Sequence, residues 1–180
     1  MYRISKKFEF SADHALKGLP PEHQCSRFHG HNYVVDVVLE SAVLNEADFV
    51  RDYGELSPIK DWINKTLDHR WLGWGMIARL EGTEPCTEPC TECENGPWHV
   101  SQITKPVLDF NPTAENMAKF IYTFACTIAP EVSMVGVSET PKTWAWYTPN
   151  NLTLDVLEHA VATLPQPLRT SFRAALRDNT

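Results

Sequence analysis

The sequence predicts an α+β domain, and two observations carry that class. Valine-rich or alternating apolar stretches, read as strands, come in pairs near the two ends of residues 1–148. Between the pairs lie two segments whose apolar residues recur at three- and four-residue intervals, the period of an amphipathic helix. The order is strand, strand, helix, loop, helix, strand, strand. A helical tail follows Pro149.

Tyr2–Phe10 is the first strand, and Ser11–Gln24 reads as a loop broken by Gly18, Pro20 and Pro21. The second strand is Asn32–Glu40, rich in valine. Leu56, Ile59, Ile63 and Leu67 then form one buried stripe of a first helix. Pro58 fits because it falls in the first turn. The helix ends at Leu67-Asp68-His69-Arg70-Trp71. In the second helix Thr113 serves as N-cap and Glu115 suits the positive helix end, while Met117, Phe120, Ile121, Phe124 and Ile128 make the buried stripe. Val132–Thr140 and Thr143–Thr148 are strands joined by a turn at Pro141-Lys142. Residues 73–108 follow neither period and carry Pro85, Pro89, Pro97 and Pro106, so they read as an inserted loop. The domain therefore spans 1–148, with this insertion, and 149–180 is a helical C-terminal extension.

Composition narrows the function. A chain of 180 residues, 43% hydrophobic and 22% charged, is long enough for one well-cored globular domain. No run reaches membrane-span length and no apolar signal core follows the N-terminus, which predicts a cytoplasmic protein without a membrane partner. The formal net charge of −7 argues against direct nucleic-acid binding, though not against an anionic small molecule. The five cysteines, three of them in one loop, do not form a disulfide framework.

The chemistry concentrates in Cys25-Ser26-Arg27-Phe28-His29-Gly30-His31. In a strand, residues i and i+2 face one way, so His29 and His31 can reach one ion. Gly30 leaves room for backbone or ligand between them. With His14, three imidazoles and no fourth obvious ligand make the pattern of a catalytic zinc with an open position. Cys25 is the candidate nucleophile or base, provided a cation or metal stabilises its thiolate. Asp68-His69 forms a proton-transfer pair in which the carboxylate orients the ring. Glu139 shares a strand face with Val135 and Val137, where a carboxylate is costly unless paired or used. It reads either as an ordinary strand-end charge or as an acceptor for an amino-imino ring edge. Cys86, Cys90 and Cys93 resemble an iron–sulfur spacing, or with His99 a second zinc site, or a plain loop with free thiols. The iron–sulfur reading needs a parallel barrel that this chain is too short and wrongly ordered to supply.

Pro21 through Tyr33 (PEHQCSRFHGHNY) resembles the signature of the 6-pyruvoyl-tetrahydropterin synthase superfamily. It is most similar to the branch of 6-carboxytetrahydropterin synthases in queuosine and 7-deazaguanine biosynthesis. Asp52-Tyr53-Gly54-Glu55-Leu56, Leu67-Asp68-His69, Asn111-Pro112-Thr113-Ala114-Glu115-Asn116 and Val137-Ser138-Glu139-Thr140 agree in order. The resemblance implies a tunnelling fold: a four-stranded antiparallel sheet with two helices, the sheets of several copies closing a barrel. It implies a homo-oligomer, trimer or hexamer, with sites at subunit interfaces. It also implies zinc on His14, His29 and His31, catalysis by Cys25, Asp68 and His69, and pterin binding by Glu139, with Glu115 nearby. The implied reaction converts 7,8-dihydroneopterin triphosphate to 6-carboxy-5,6,7,8-tetrahydropterin, releasing acetaldehyde and triphosphate. Two alternatives stay open. One is a 6-pyruvoyl-tetrahydropterin synthase acting on the same substrate. The other is a non-catalytic pterin-binding or zinc-stabilised interaction protein, against which the intact Cys25, Asp68 and His69 speak. The three-residue spacer between Cys25 and His29 favours the carboxy branch over animal-type pyruvoyl synthases, whose spacer is longer.

Overall fold

The computed structural model describes residues 1–73 and 107–149. The readings of Cys86, Cys90, Cys93 and His99, and of a helical extension after Pro149, lie outside these residues. Strands β1 (Tyr2–His14), β2 (His29–Ser41), β3 (Val132–Thr140) and β4 (Thr143–Tyr147) form one antiparallel sheet in the order β1-β2-β3-β4. Helices α1 (Ser57–Thr66) and α2 (Ala114–Ile128) lie between the strand pairs in sequence. The expected α+β order holds among the described residues.

Alternation gives the sheet its two faces. Phe8, Phe10 and Ala12 of β1, Tyr33, Val35, Val37 and Leu39 of β2, and Val135 and Val137 of β3 are buried in one core. The stripes of both helices meet them there: Ile59, Trp62 and Ile63 from α1, and Met117, Phe120, Ile121 and Phe124 from α2. Trp62 stacks on Phe124 at 4.3 Å between centroids, joining the helices. Burying each such side chain contributes about 1.5–3 kcal/mol before entropy is counted. Thr113 caps α2 by accepting from the Asn116 N–H at 3.3 Å, as its sequence position predicts.

Among the described residues, no helix covers the opposite face. Register aligns Lys7, Asp36, Gly136 and Trp146 in one row across the four strands. Trp146 lies over Gly136, where a Cβ would stand only 2.6 Å from the ring, and stacks on Trp144. Trp144 and Trp146 remain 37% and 46% exposed, and the Lys7 ammonium sits 5.4 Å from the Trp144 ring.

β1 differs from its expected extent. It runs on through Ser11, Ala12 and Asp13 to His14 instead of ending at Phe10. These residues have little strand preference of their own, so pairing decides. Each faces a β2 partner, from Ser11↔Asn32 to His14↔His29, and Ser11 Oγ donates to Asn32 Oδ1 at 2.9 Å. The other edge is covered by the chain leaving α1. His69 N–H donates to Ser11 O, Asp13 N–H to Arg70 O, and Leu72 N–H to Asp13 O. This extension places His14 in a strand beside the H-G-H pair. Among the described residues, no helix is long and apolar enough to cross a membrane.

Candidate metal centre and adjoining pocket

His29 and His31 point to the helix-covered face of β2, four and two residues before the buried Tyr33. His14 enters the same face from β1, directly opposite His29. One ligand atom from each ring falls within 4.8 Å of the others. The Nε2 atoms of His14 and His29 are 3.0 Å apart. His14 Nδ1 lies 3.0 Å from the Pro112 carbonyl and His29 Nδ1 2.8 Å from the Arg27 carbonyl. A carbonyl can only accept, so both Nδ1 atoms carry the proton and both Nε2 lone pairs face inward. Two lone pairs at that distance repel unless a cation lies between them. Two ligands of a tetrahedral zinc stand about 3.3 Å apart, so the cluster suits a metal. Burial chiefly, with neighbouring His29 and His31 adding to it, pushes His14 down to about 4 despite the Pro112 bond, leaving a neutral ring to ligate. His31 is lowered too, mainly by burial.

Asp68 and His69 leave α1 alongside β1. Asp68 Oδ1 accepts the Ser11 N–H at 2.9 Å, and that bond is the main reason its carboxyl titrates below the usual range. Its other oxygen lies 2.9 Å from His69 Nδ1. His69 is not in the helix, which ends at Thr66; it adopts a left-handed backbone at φ 54° with a side chain 82% exposed. Its own N–H bond to Ser11 O and its partner Asp68 hold it there.

Cys25 sits half-buried in a single 3-10 turn, Gln24–Ser26. Its carbonyl accepts from Leu16 N–H at 2.8 Å and its N–H donates to His23 Nδ1 at 3.1 Å, so the turn is moored just past His14. Its thiol is not one of the clustered ligand atoms.

Glu139 reaches the same place from β3. Its Oε1 is shut off from solvent, has no hydrogen-bond partner among the described residues, and lies 4.0 Å from His14 Nε2. Burial raises its carboxyl above the usual range; His29 opposes this and the charge of Glu115, in the first turn of α2, adds to it. A pocket of about 720 Å³ opens beside these groups, lined among others by Phe10, Ser11, His31, Tyr33, Asp68 and Glu139. That is within the ~300–1,000 Å³ typical of small-molecule sites. The structure thus brings His14, His29, His31, Asp68, Glu139 and, electrostatically, Glu115 to one end of the sheet.

Two participants were not anticipated. Tyr33, fully buried, places its hydroxyl 3.1 Å from His14 Nδ1. Its position two residues after His31, on the same strand face, is the signal that could have found it. The room left by Gly30 is taken by Asp13: a Cβ there would lie 2.4 Å from Asp13 Oδ1. Of the two occupants expected there, backbone or ligand, the space holds neither but a side chain of β1.

The family model described as 6-pyruvoyl tetrahydropterin synthase matches residues 3–150. A protein of Aquifex aeolicus named 6-carboxy-5,6,7,8-tetrahydropterin synthase is 26% identical over 160 residues, covering 82% of this chain and 93% of that protein. A putative synthase of the same name from Pyrococcus abyssi is 34% identical over 120 residues, 66% of this chain and 70% of its own. Among solved structures, an uncharacterized protein from Wolinella succinogenes superposes with TM-score 0.62 at 23% identity, over 83% of this chain and 98% of that one. The 6-pyruvoyl tetrahydropterin synthase of Caenorhabditis elegans does so with TM-score 0.57 at 22% identity, over 83% and 96%. These two share the fold. A match over 148 consecutive positions, spanning every strand and both helices described above, makes this chain a member of the 6-pyruvoyl tetrahydropterin synthase family.

Proposed function

We propose that the protein is a zinc-dependent lyase, a 6-carboxy-5,6,7,8-tetrahydropterin synthase of 7-deazaguanine biosynthesis. It takes 7,8-dihydroneopterin triphosphate to 6-carboxytetrahydropterin, acetaldehyde and triphosphate. The observation that carries this reading is the three-imidazole cluster, one of whose members, His31, lines a pocket together with Asp68 and Glu139. The names of the relatives in Aquifex and Pyrococcus support it.

His14, His29 and His31 would hold the zinc. Bound there, zinc supplies Lewis acidity toward the substrate's side-chain oxygens and so acidifies the neighbouring C–H bonds. The remaining work falls to this chain. Glu139 accepts hydrogen bonds from the amino-imino edge of the pterin and orients the ring, with Glu115 close by. Cys25, as thiolate, and His69, oriented by Asp68, exchange protons with the side chain of the substrate.

Assembly into a homo-oligomer, trimer or hexamer, fits the sheet face that no described helix covers, where Trp144 and Trp146 of edge strand β4 stand exposed. Sedimentation of zinc-loaded protein at the mass of one chain would dismiss that part. A soluble cytoplasmic enzyme accords with the lack of any membrane-spanning helix among the described residues.

The deciding experiment incubates zinc-loaded protein with dihydroneopterin triphosphate, quantifies acetaldehyde and identifies the pterin by mass. One acetaldehyde per 6-carboxytetrahydropterin is expected. A pyruvoyl product without acetaldehyde moves the chain to the pyruvoyl synthases, and no turnover leaves a binding protein.

A further inference from the structure

His14 Nδ1 has two neighbours: the Pro112 carbonyl at 3.0 Å and the Tyr33 hydroxyl at 3.1 Å. They pull in opposite senses. A carbonyl only accepts, so it keeps the ring proton on Nδ1 and frees Nε2 for a metal. A hydroxyl can donate, and if Tyr33 donates to Nδ1 the ring proton moves to Nε2 and the ligand is lost. Whichever neighbour is held more firmly sets the ring.

Pro112 is buried and lacks an N–H, so nothing on its own residue except its fixed φ anchors the carbonyl. The anchor is next door. Asn111 Oδ1 accepts the Lys17 N–H at 2.8 Å, and Asn111 Nδ2 donates to the Lys17 carbonyl at 3.1 Å. This two-way clamp joins the chain three residues past His14 to the residue just before Pro112. It therefore ties together the same two segments that the His14–Pro112 bond spans. Asn116 holds the far side, donating through Nδ2 to the Asn111 carbonyl at 2.9 Å.

We propose that Asn111 is a positioning residue for the metal centre: by clamping Lys17 it keeps the Pro112 carbonyl on His14 Nδ1 and denies that nitrogen to Tyr33. The inference rests on the reading of His14 as a metal ligand, yet its effect on the ring is present before any metal binds.

The test has two readouts. The first is the His14 tautomer in metal-free protein, read from ring ¹⁵N shifts. The second is zinc affinity, measured by competition with a chromophoric chelator. Wild type should show Nδ1–H. Asn111→Ala should show a share of Nε2–H and bind zinc about 10–100-fold more weakly, the usual effect of losing a group that orients a ligand. Adding Tyr33→Phe to Asn111→Ala removes the competing donor and should restore Nδ1–H and part of the zinc affinity. A purely structural clamp would not respond that way. Asn116→Ala removes an exposed side chain and should shift both readouts in the same direction by less, which covers the case where Asn111→Ala fails to fold. Wild-type tautomer and wild-type zinc affinity in the folded variants overturn the proposal. His31→Ala, if it bound zinc like wild type, would instead overturn the metal assignment, while the tautomer measurement still judges the clamp.

Discussion

Asp68 Oδ2 lies 2.9 Å from His69 Nδ1, while its other oxygen is occupied by the backbone N–H of Ser11. The carboxylate thus ties the ring proposed for proton transfer to the strand that carries His14. In Asp68→Asn, the amide oxygen can still serve Ser11, but an N–H₂ then faces His69 Nδ1 and favours the other tautomer. The expected outcome is a kcat lowered about 10²-fold or more with thermal stability nearly unchanged. A kcat close to wild type would remove Asp68 from the mechanism.

His69 holds a left-handed backbone that costs a non-glycine residue about 1 kcal/mol, and its ring is largely solvent-exposed. His69→Gly should therefore raise unfolding stability by up to about 1 kcal/mol while turnover collapses. Urea unfolding with a parallel rate assay checks both at once. Lower stability would mean that the ring is needed for packing, not for proton transfer.

His31→Ala removes one of the three proposed zinc ligands. Metal analysis after dialysis should find the zinc gone along with activity, and a chelator should lower the melting temperature of wild type but not of this variant. Full zinc in the variant places the centre elsewhere.

Cys25 stands outside the ligand cluster. Cys25→Ala should keep its zinc and its fold yet lose turnover by about 10²-fold or more, as expected for a missing acid–base group. Loss of zinc would recast the thiol as a ligand.

Glu139 Oε1 is buried with no hydrogen-bond partner among the described residues, so a donor from a bound ring can pair with it. Glu139→Gln gives up one acceptor site and an anionic charge, and the ring donors of a bound pterin are left poorly matched. Pterin binding followed by ring fluorescence should weaken at least about tenfold, with zinc content unaffected. Equal affinity would leave Glu139 as a strand-end charge.

Much of this was legible in the chain itself. Periodicity marks the four strands and both helices, and the i, i+2 rule puts His29 and His31 on one face. What the sequence hides is long-range. Ser11, Ala12 and Asp13 have no local reason to be strand; their partners at 30–32 and the covering bonds from His69 to Leu72 make them so. His14 meets His29 only because that extra length sets them opposite each other. Glu139 shows the same limit: alternation assigns its face, but only the sheet order shows that the face leads to the imidazoles. The Tyr33 hydroxyl was concealed by a valine-rich strand in which an aromatic reads as core.

The Val107 N–H donates to the Trp71 carbonyl at 3.0 Å, so the two points where the chain departs after Gly73 and returns are one hydrogen bond apart. A segment whose ends meet at a fixed seam can lengthen at a cost that grows only with the logarithm of its size, on the order of 0.6 kcal/mol per doubling. The length of chain between Gly73 and Val107 can therefore change while the strand bearing His14 keeps its course. Differences between members of such a lineage should gather at this seam, leaving the imidazoles untouched.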